Sequence, residues 1–305
     1  MFSDTHCHLS YVAERGVSLS ALLSDLDGEG FRFVMDVGTR PADLRDRTNV
    51  VRAAWLEARE GAGLTAKAGE KDDGAPEWLS FSAGLWPDAR TIGSRVESLA
   101  ALESDLSALL AGEPRYAALG ECGLDRYWNG EAGKDRATGE DGPGTMDTDG
   151  EEDLFAAQLE LARKTGLAVI VHSRDAFEPT RSVIANSGVS RGVIHCFAYG
   201  VAEARAFLDL GYHVSFPGTI TWGKKQADID RVRDLLRFVP RDRLLLETDA
   251  PYLAPVPRRG ETNTPLFVRH CYETAAGFLG TETDALARLV FENARELFAV
   301  RAGRC

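Results

Sequence analysis

The chain has 305 residues, of which 44% are hydrophobic and 27% are charged. This composition is typical of a globular protein with a large core, and it excludes a disordered or fibrous chain. The formal net charge of −12 argues against a broad nucleic-acid-binding surface, because such surfaces gain affinity from Lys and Arg side chains that neutralise phosphates.

Short apolar segments alternate along the chain with segments of helical periodicity, which is typical of repeated strand–helix units. The predicted strands are the eight segments 2–6, 31–38, 79–85, 116–121, 167–172, 192–196, 212–216 and 244–249. Apolar residues recur every three or four positions in the helical segments, as at Val96, Leu99, Leu102, Leu106 and Leu109. These units predict an α/β protein with a single (β/α)8 TIM barrel over residues 1–305, in preference to an open doubly wound sheet.

Two segments rich in Gly and charge interrupt this pattern, at about residues 61–77 and 129–150, and both are predicted to be surface insertions. The second follows the fourth strand, so it would lie on the catalytic face of a barrel. We expect it to be inert, with folding over a substrate as the alternative. Residues 129–153 hold nine acids and two bases, so much of the negative charge belongs to this one segment. In the alternative case, the insertion would screen the cleft from long duplexes while admitting a strand end.

The sequence predicts a cytoplasmic protein, with nuclear or organellar residence left open. No apolar run approaches the roughly 18 to 20 residues that span a bilayer, and the first residues lack the basic and apolar segments of a secretory signal. Five cysteines without paired spacing favour a reduced compartment over a disulfide framework. We expect neither a membrane nor an obligate protein partner.

Candidate metal ligands stand at the ends of the predicted strands. His6 and His8 lie two residues apart on the first strand, so both imidazoles point to one face. The other candidates end or follow four later strands: Glu121, His172, His195 and Asp249. Strand ends on this face converge on the mouth of a barrel. Four imidazoles and two carboxylates suit two divalent cations with a bridging carboxylate.

Strand alternation also predicts what the neighbouring residues do. Cys7, Cys122 and Cys196 each follow a candidate ligand by one residue, so they face away from the barrel interior and are predicted to be buried fillers. Asp4 and Glu247 precede ligands by two residues and share their inward face. They either orient ligand imidazoles or pair with a buried base.

The chain resembles the TatD-type metal-dependent deoxyribonucleases of the amidohydrolase superfamily. The matching segments occur in order along nearly the whole chain: DTHCHL (4–9), ALGECGLDRYW (118–128), LAVIVHSRDAF (167–177), GVIHCFAYG (192–200), SFPGTITW (215–222), LLLETDAPYLAP (244–255), NTP (263–265) and ENARELF (292–298). One departure is Trp86, which precedes Pro87 at a position where the family often has His.

This resemblance implies a (β/α)8 barrel that binds two divalent ions, with Mg²⁺, Mn²⁺ or Zn²⁺ as the candidates. The implied ligands are His6, His8, Glu121 and Asp249 at one ion and Glu121, His172 and His195 at the other. It also implies a phosphodiesterase, most often a 3′→5′ exonuclease on single-stranded DNA and sometimes on RNA.

We expect metal-assisted hydrolysis, in which bound cations lower the pKa of a water from about 15.7 towards 7. Asp249 is the candidate base and Glu121 the bridging ligand. Arg174, two residues after His172, is a candidate phosphate clamp, with a structural ion pair as the alternative. Asn263 is a second, weaker candidate for substrate binding.

Two other functional classes remain open at this stage. A hydrolase of the same superfamily that acts on a small amide, lactone or phosphoester would carry a similar metal cluster. Many such relatives bridge their ions with a carbamylated Lys, and no Lys ends the fifth predicted strand here. A non-catalytic binding or scaffold protein is the third class, but none of the candidate ligands is missing.

Overall fold

The computed structural model describes residues 2–61, 74–112, 114–130 and 147–300. Its eight strands are all parallel and form one sheet in sequence order. The strands are β1 Ser3–Cys7, β2 Phe33–Asp36, β3 Leu79–Ala83, β4 Ala117–Asp125, β5 Ala168–Arg174, β6 Gly192–Ile194, β7 His213–Phe216 and β8 Leu244–Leu246. Most strand residues are buried, because helices cover the outside of a parallel sheet and side chains fill its inside.

Hydrogen bonds between β1 and the residues after β8 bring the two edges of the sheet together. The Asp249 amide donates to the His6 carbonyl at 2.9 Å, and the His8 amide donates to the Ala250 carbonyl at 2.8 Å. Cys7 and Ala250 form a parallel bridge. The sheet is therefore a nearly closed barrel, which confirms the predicted (β/α)8 fold.

Helices follow the strands and pack around the barrel. They are α1 Leu9–Glu14, α2 Leu19–Gly28, α3 Leu44–Gly61, α4 Ala89–Gly93, α5 Arg95–Ala111, α6 Arg126–Asn129, α7 Thr148–Thr165, α8 Phe177–Ser187, α9 Val201–Asp209, α10 Gln226–Phe238, α11 Val268–Leu279 and α12 Thr283–Phe298. In α5 the predicted stripe buries Leu102, Leu106 and Leu109, but Val96 is 74% exposed, so the apolar face begins later than predicted. In the described ranges, no helix has the length and apolarity to span a membrane.

The ends of the two predicted insertions belong to regular structure. Gly61 closes α3, and Asn129 closes α6 with a buried side chain that donates to the Pro87 carbonyl at 2.6 Å. Thr148–Thr165 is already helix, and its N-cap Asp147 accepts from the Gly150 amide at 2.9 Å. The rest of the predicted insertions, residues 62–73 and 131–146, lies outside the described residues. One domain over the whole chain stays a prediction.

Strand β4 is irregular at Glu121, the residue that carries the central carboxylate. Its pairing with β5 shifts register between Leu119 and Cys122 and then continues to Asp125. Gly120 has a φ of 148°, and a Cβ added there would lie 2.6 Å from the Ile170 Cβ. Both the backbone conformation and the close approach of β5 therefore require glycine before Glu121.

Candidate metal centre

One group of side chains surrounds the Oε2 atom of Glu121. His6 Nε2 lies 3.3 Å and His8 Nε2 3.7 Å from this oxygen, and the two nitrogens are 3.2 Å apart. Asp249 Oδ1 completes the group, 3.7 Å from His6 Nε2 and 3.6 Å from His8 Nε2. These residues come from β1, β4 and the turn after β8, so the barrel brings the first predicted ligand set together.

A second group surrounds the Oε1 atom of the same carboxylate. His172 Nδ1 and His195 Nε2 each lie 2.9 Å from Glu121 Oε1 and 3.2 Å from each other. His172 lies in β5 and His195 directly follows β6. Glu121 thus presents one oxygen to each group, which is the geometry that a bridging ligand needs.

The donor atoms fit divalent cations. Atoms that share one ion at about 2.0–2.2 Å lie about 3 to 4 Å from one another, and the separations above fall in or close to that range. Two triads, His6–Glu121–His195 and His6–His8–Asp249, keep all their donor atoms within 4.8 Å. His8 Nδ1 lies 2.9 Å from the Val37 carbonyl, which only accepts, so Nδ1 carries a proton. In the neutral imidazole, Nε2 is therefore the unprotonated nitrogen and faces the group.

Neighbouring imidazoles keep Glu121 ionised. Burial acts to raise its pKa, but His195, His172 and His6 outweigh burial and hold the pKa well below its ordinary value. Burial acts to lower the pKa of His172, yet hydrogen bonds to Asp125 and Glu121 raise it to about 9. Because metal ligands must be deprotonated, a cation that binds here has to displace a proton from His172.

Asp125 is a functional candidate that the sequence prediction missed. Its Oδ2 accepts from His172 Nε2 at 2.9 Å, so the other ring nitrogen, Nδ1, points at Glu121. The Asp125 amide in turn donates to the buried Glu151 carboxylate at 2.7 Å. Asp125 shares a strand face with Glu121, and a fourth strand predicted to continue past residue 121 would have revealed it.

Replacing Asp125 by Asn should weaken metal binding about 10- to 100-fold, because the amide cannot hold the His172 tautomer as a carboxylate does. Calorimetric titration with Mn²⁺ or Zn²⁺ measures this effect. Asp153→Asn, the same change at an exposed position of α7, is the control and should bind as the parent does. Equal affinity of the Asp125 variant and the parent would exclude the positioning role.

The two buried acids predicted either to orient imidazoles or to pair with a base behave differently. Glu247 Oε1 lies 3.7 Å from His195 Nδ1 and accepts from the Cys196 amide at 2.5 Å, so it faces a candidate ligand, the first of the two predicted roles. Asp4 does not contact an imidazole. Its Oδ1 accepts from the backbone amides of His6 at 3.2 Å and Thr248 at 2.9 Å, so it fixes the backbone on which the ligands are mounted.

The cysteines stand apart from both groups of candidate ligands. Cys7 and Cys122 are fully buried and donate to backbone carbonyls of Met35 and Ile170, as fillers of the core. Cys196 differs from the prediction because it is partly exposed. Its φ of 48° ends the strand alternation on which the prediction depended.

The structure places the two predicted substrate residues in different surroundings. Arg174 is exposed at the end of β5, with its guanidinium 3.7 Å from the centre of the Tyr127 ring. Asn263 is fully buried and donates to the carbonyls of Thr248 at 2.9 Å and Tyr252 at 2.5 Å. The geometry does not support a substrate contact by Asn263, because its amide already holds the loop after β8.

Trp86 lies beside the second group, with its ring centre 5.8 Å from that of His172. Its backbone amide donates to the Thr39 carbonyl at 2.9 Å, which ties the loop after β3 to the loop after β2. The Trp side chain therefore forms one wall of the mouth and leaves the candidate ligands in place.

The chain is similar to known proteins along nearly its whole length. Residues 3–299 match the family model described as TatD related DNase. The chain is 32% identical over 303 residues to YcfH of Escherichia coli, an uncharacterized metal-dependent hydrolase, with 99% of this chain and 97% of the relative covered. It is 30% identical over 273 residues to the 3′-5′ ssDNA/RNA exonuclease TatD of a Rahnella species, with 85% and 95% covered. Among solved structures, the TatD homologue YJJV of Escherichia coli shares the fold with a TM-score of 0.66 at 24% identity, over 97% of both chains.

Proposed function

The chain belongs to the family of TatD-related DNases, and from that premise we propose that it is a divalent-metal-dependent phosphodiester hydrolase. We propose single-stranded DNA as its substrate, shortened from the 3′ end, with RNA as a second substrate. Relatives named 3′-5′ ssDNA/RNA exonuclease support this polarity and substrate class.

The observation that carries the proposal is the division of the Glu121 carboxylate between two groups of imidazoles. We propose that one cation is held by His6, His8, Glu121 and Asp249, and a second by Glu121, His172 and His195. Mg²⁺, Mn²⁺ and Zn²⁺ are the candidates. Bound cations of this kind supply Lewis acidity, which lowers the pKa of a water and neutralises charge on the phosphodiester.

We propose that Asp249 accepts the proton of the attacking water. Its side chain is 13% exposed, whereas that of His6 is fully buried, so solvent reaches the group from the Asp249 side. Burial acts to raise the pKa of Asp249, but His8 and His6 outweigh burial and lower it, so the carboxylate is ionised and able to accept. The same residue can return the proton to the leaving oxygen.

We propose that Arg174 binds a phosphate of the substrate. It is exposed at the end of β5, two residues after His172, and stacks on Tyr127. A guanidinium binds phosphate oxygens in a bidentate manner, and the aromatic ring fixes its orientation. We further propose that the protein acts in the cytoplasm without an obligate protein partner.

Hydrolysis assays with defined cations test the function. The purified protein should contain bound divalent metal and should shorten 5′-labelled single-stranded DNA and RNA stepwise when Mg²⁺, Mn²⁺ or Zn²⁺ is present. Cation at a thousandfold excess over its Kd should stabilise the fold by about 4 kcal/mol, seen as a higher Tm than in EDTA. His172→Ala should lose both the hydrolysis and the stabilisation by cation. His270 is half-exposed and paired with Glu273, so His270→Ala is the control and should keep both.

The second candidate function is hydrolysis of a small amide, lactone or phosphoester by the same centre. β5 ends in His172, Ser173 and Arg174, so the strand offers no Lys that carbon dioxide could convert into a bridging ligand. Turnover of such an ester or lactone without cleavage of any nucleic acid would establish this alternative and refute the nuclease.

A further inference from the structure

Two arginine–tyrosine pairs lie next to His8, outside the proposed catalytic machinery. The Arg15 guanidinium lies 4.8 Å from the centre of the Tyr252 ring, and that of Arg40 lies 4.9 Å from the centre of the Tyr11 ring. The ring centres of Tyr11 and Tyr252 are 5.4 and 6.4 Å from that of His8. We call these four side chains the tyrosine–arginine platform.

The platform belongs to the catalytic end of the barrel. Tyr11 lies in α1, directly after β1, and Arg15 caps the end of that helix. Arg40 follows β2, and Tyr252 follows β8. All four residues therefore come from connections that leave the carboxyl ends of strands, where a barrel enzyme meets its substrate.

Tyr252 offers open aromatic surface at this position. It is 40% exposed, and it is the one aromatic residue among the large apolar side chains that are exposed in the described ranges. Its position is fixed relative to the candidate base, because its amide donates to the Asp249 carbonyl at 2.9 Å and its carbonyl accepts from Asn263. A ligand that stacks on this ring would thus be held in register with the metal centre.

The two arginines offer exposed positive charge at this position. Both are exposed, and neither guanidinium forms an ion pair with a residue in the parts of the chain that the structure describes. This side of the mouth therefore carries two exposed guanidinium groups, although the net charge of the chain is strongly negative.

We propose that the tyrosine–arginine platform binds the base and the phosphate of a nucleotide next to the bond that is cut, in a single-stranded nucleic acid. An aromatic face stacks on any base, and a guanidinium pairs with the adjoining phosphate. In a duplex the faces of internal bases are covered by their neighbours, so the platform selects unpaired strands. This inference rests on the proposed function and adds a substrate subsite to it.

Binding measurements with two matched ligands test the platform. The first is a labelled thymidine oligonucleotide of about eight residues with phosphorothioate linkages that resist hydrolysis, and the second is an abasic strand of the same length and charge. Fluorescence anisotropy with the full-length, metal-loaded protein gives the Kd of each. Because no bond is cut, the readout is independent of nuclease activity.

Tyr252→Ala should raise the Kd for the thymidine strand about tenfold and leave the abasic strand unchanged, since only the former has bases to stack. Tyr252→Phe should bind as the parent does. Arg15→Ala should weaken both strands and reduce the slope of log Kd against log salt by about 0.7, the loss of one phosphate contact. Arg205→Ala removes a guanidinium stacked on Phe238, between helices α9 and α10, and should change neither Kd.

An equal loss for both strands in Tyr252→Ala would show that the residue acts only through the loop around Asp249, and would overturn the stacking role. Unchanged binding in Tyr252→Ala and Arg15→Ala would overturn the platform altogether, while the parent could still degrade DNA. Conversely, a parent that binds the thymidine strand through Tyr252 but cleaves no nucleic acid would refute the nuclease and leave the platform standing.

Discussion

Glu121→Gln should abolish hydrolysis and strip the purified protein of most of its metal. The Glu121 carboxylate approaches both groups of imidazoles, at 3.3 Å from His6 Nε2 and 2.9 Å from His172 Nδ1 and His195 Nε2. An amide of the same shape carries no charge and has one acceptor oxygen, so it cannot bridge two cations. We expect kcat/KM to fall by about 1,000-fold or more, in the range of other lost electrostatic contacts to a transition state.

Metal analysis and kinetics on the same preparations check this result. Glu160→Gln makes the same chemical change in an exposed ion pair with Arg163, and it should retain both metal and activity. Glu121→Asp is a second test, because it keeps the charge but shortens the side chain, so it should retain metal better than activity. A Glu121→Gln variant with full metal content and full activity would rule out the bridging role.

The eight strands were predictable because a parallel strand in a barrel is buried on both faces. In β5, for example, Ala168, Val169, Ile170 and Val171 are all fully buried, and the sequence shows them as an uninterrupted apolar run. The strand ends were less predictable. β4 continues through the polar Asp125 because β5 offers it a partner there, and β8 stops at Leu246 because the chain turns to pair with β1.

The candidate ligands were predictable from one rule, that catalytic side chains gather at the carboxyl ends of barrel strands. The rule says nothing about what orients those ligands, since that depends on contacts between strands. Asp4 shows the limit of the rule. Alternation places it correctly inside the barrel, but its carboxylate accepts hydrogen bonds from the backbone amides of His6 and Thr248 and from the Thr248 hydroxyl. Tyr252 shows the same limit of the rule. No sequence motif distinguishes a loop tyrosine that packs against the protein from one that stays exposed.

Net charge was a poor guide to the proposed substrate because it averages over the whole chain. The acids at positions 131, 135, 140 and 141 belong to one predicted insertion and lie outside the described residues. At the mouth, exposed guanidinium groups of Arg15, Arg40 and Arg174 stack on aromatic rings. We therefore expect strand binding that is local and salt-sensitive, in place of a broad basic groove.

Asp249→Asn should separate metal binding from proton transfer. Asn keeps the shape of the side chain and a carbonyl oxygen for the cation, but it cannot accept the proton of a water. We expect kcat to fall about 100- to 10,000-fold, the usual contribution of a general base, with more metal retained than in Glu121→Gln. Single-turnover kinetics on single-stranded DNA, together with metal analysis of the same preparation, measure both quantities.

Asp175→Asn is the matched control for this change. Asp175 has a φ of 52°, close to the 55° of Asp249, and it directly follows β5 at the same end of the barrel, but it belongs to neither candidate ligand triad. Asn tolerates this left-handed conformation as well as Asp does, so backbone effects cancel between the two variants. If Asp249→Asn lost as much metal as Glu121→Gln, its lower rate would follow from a broken metal centre, and another group would have to accept the proton.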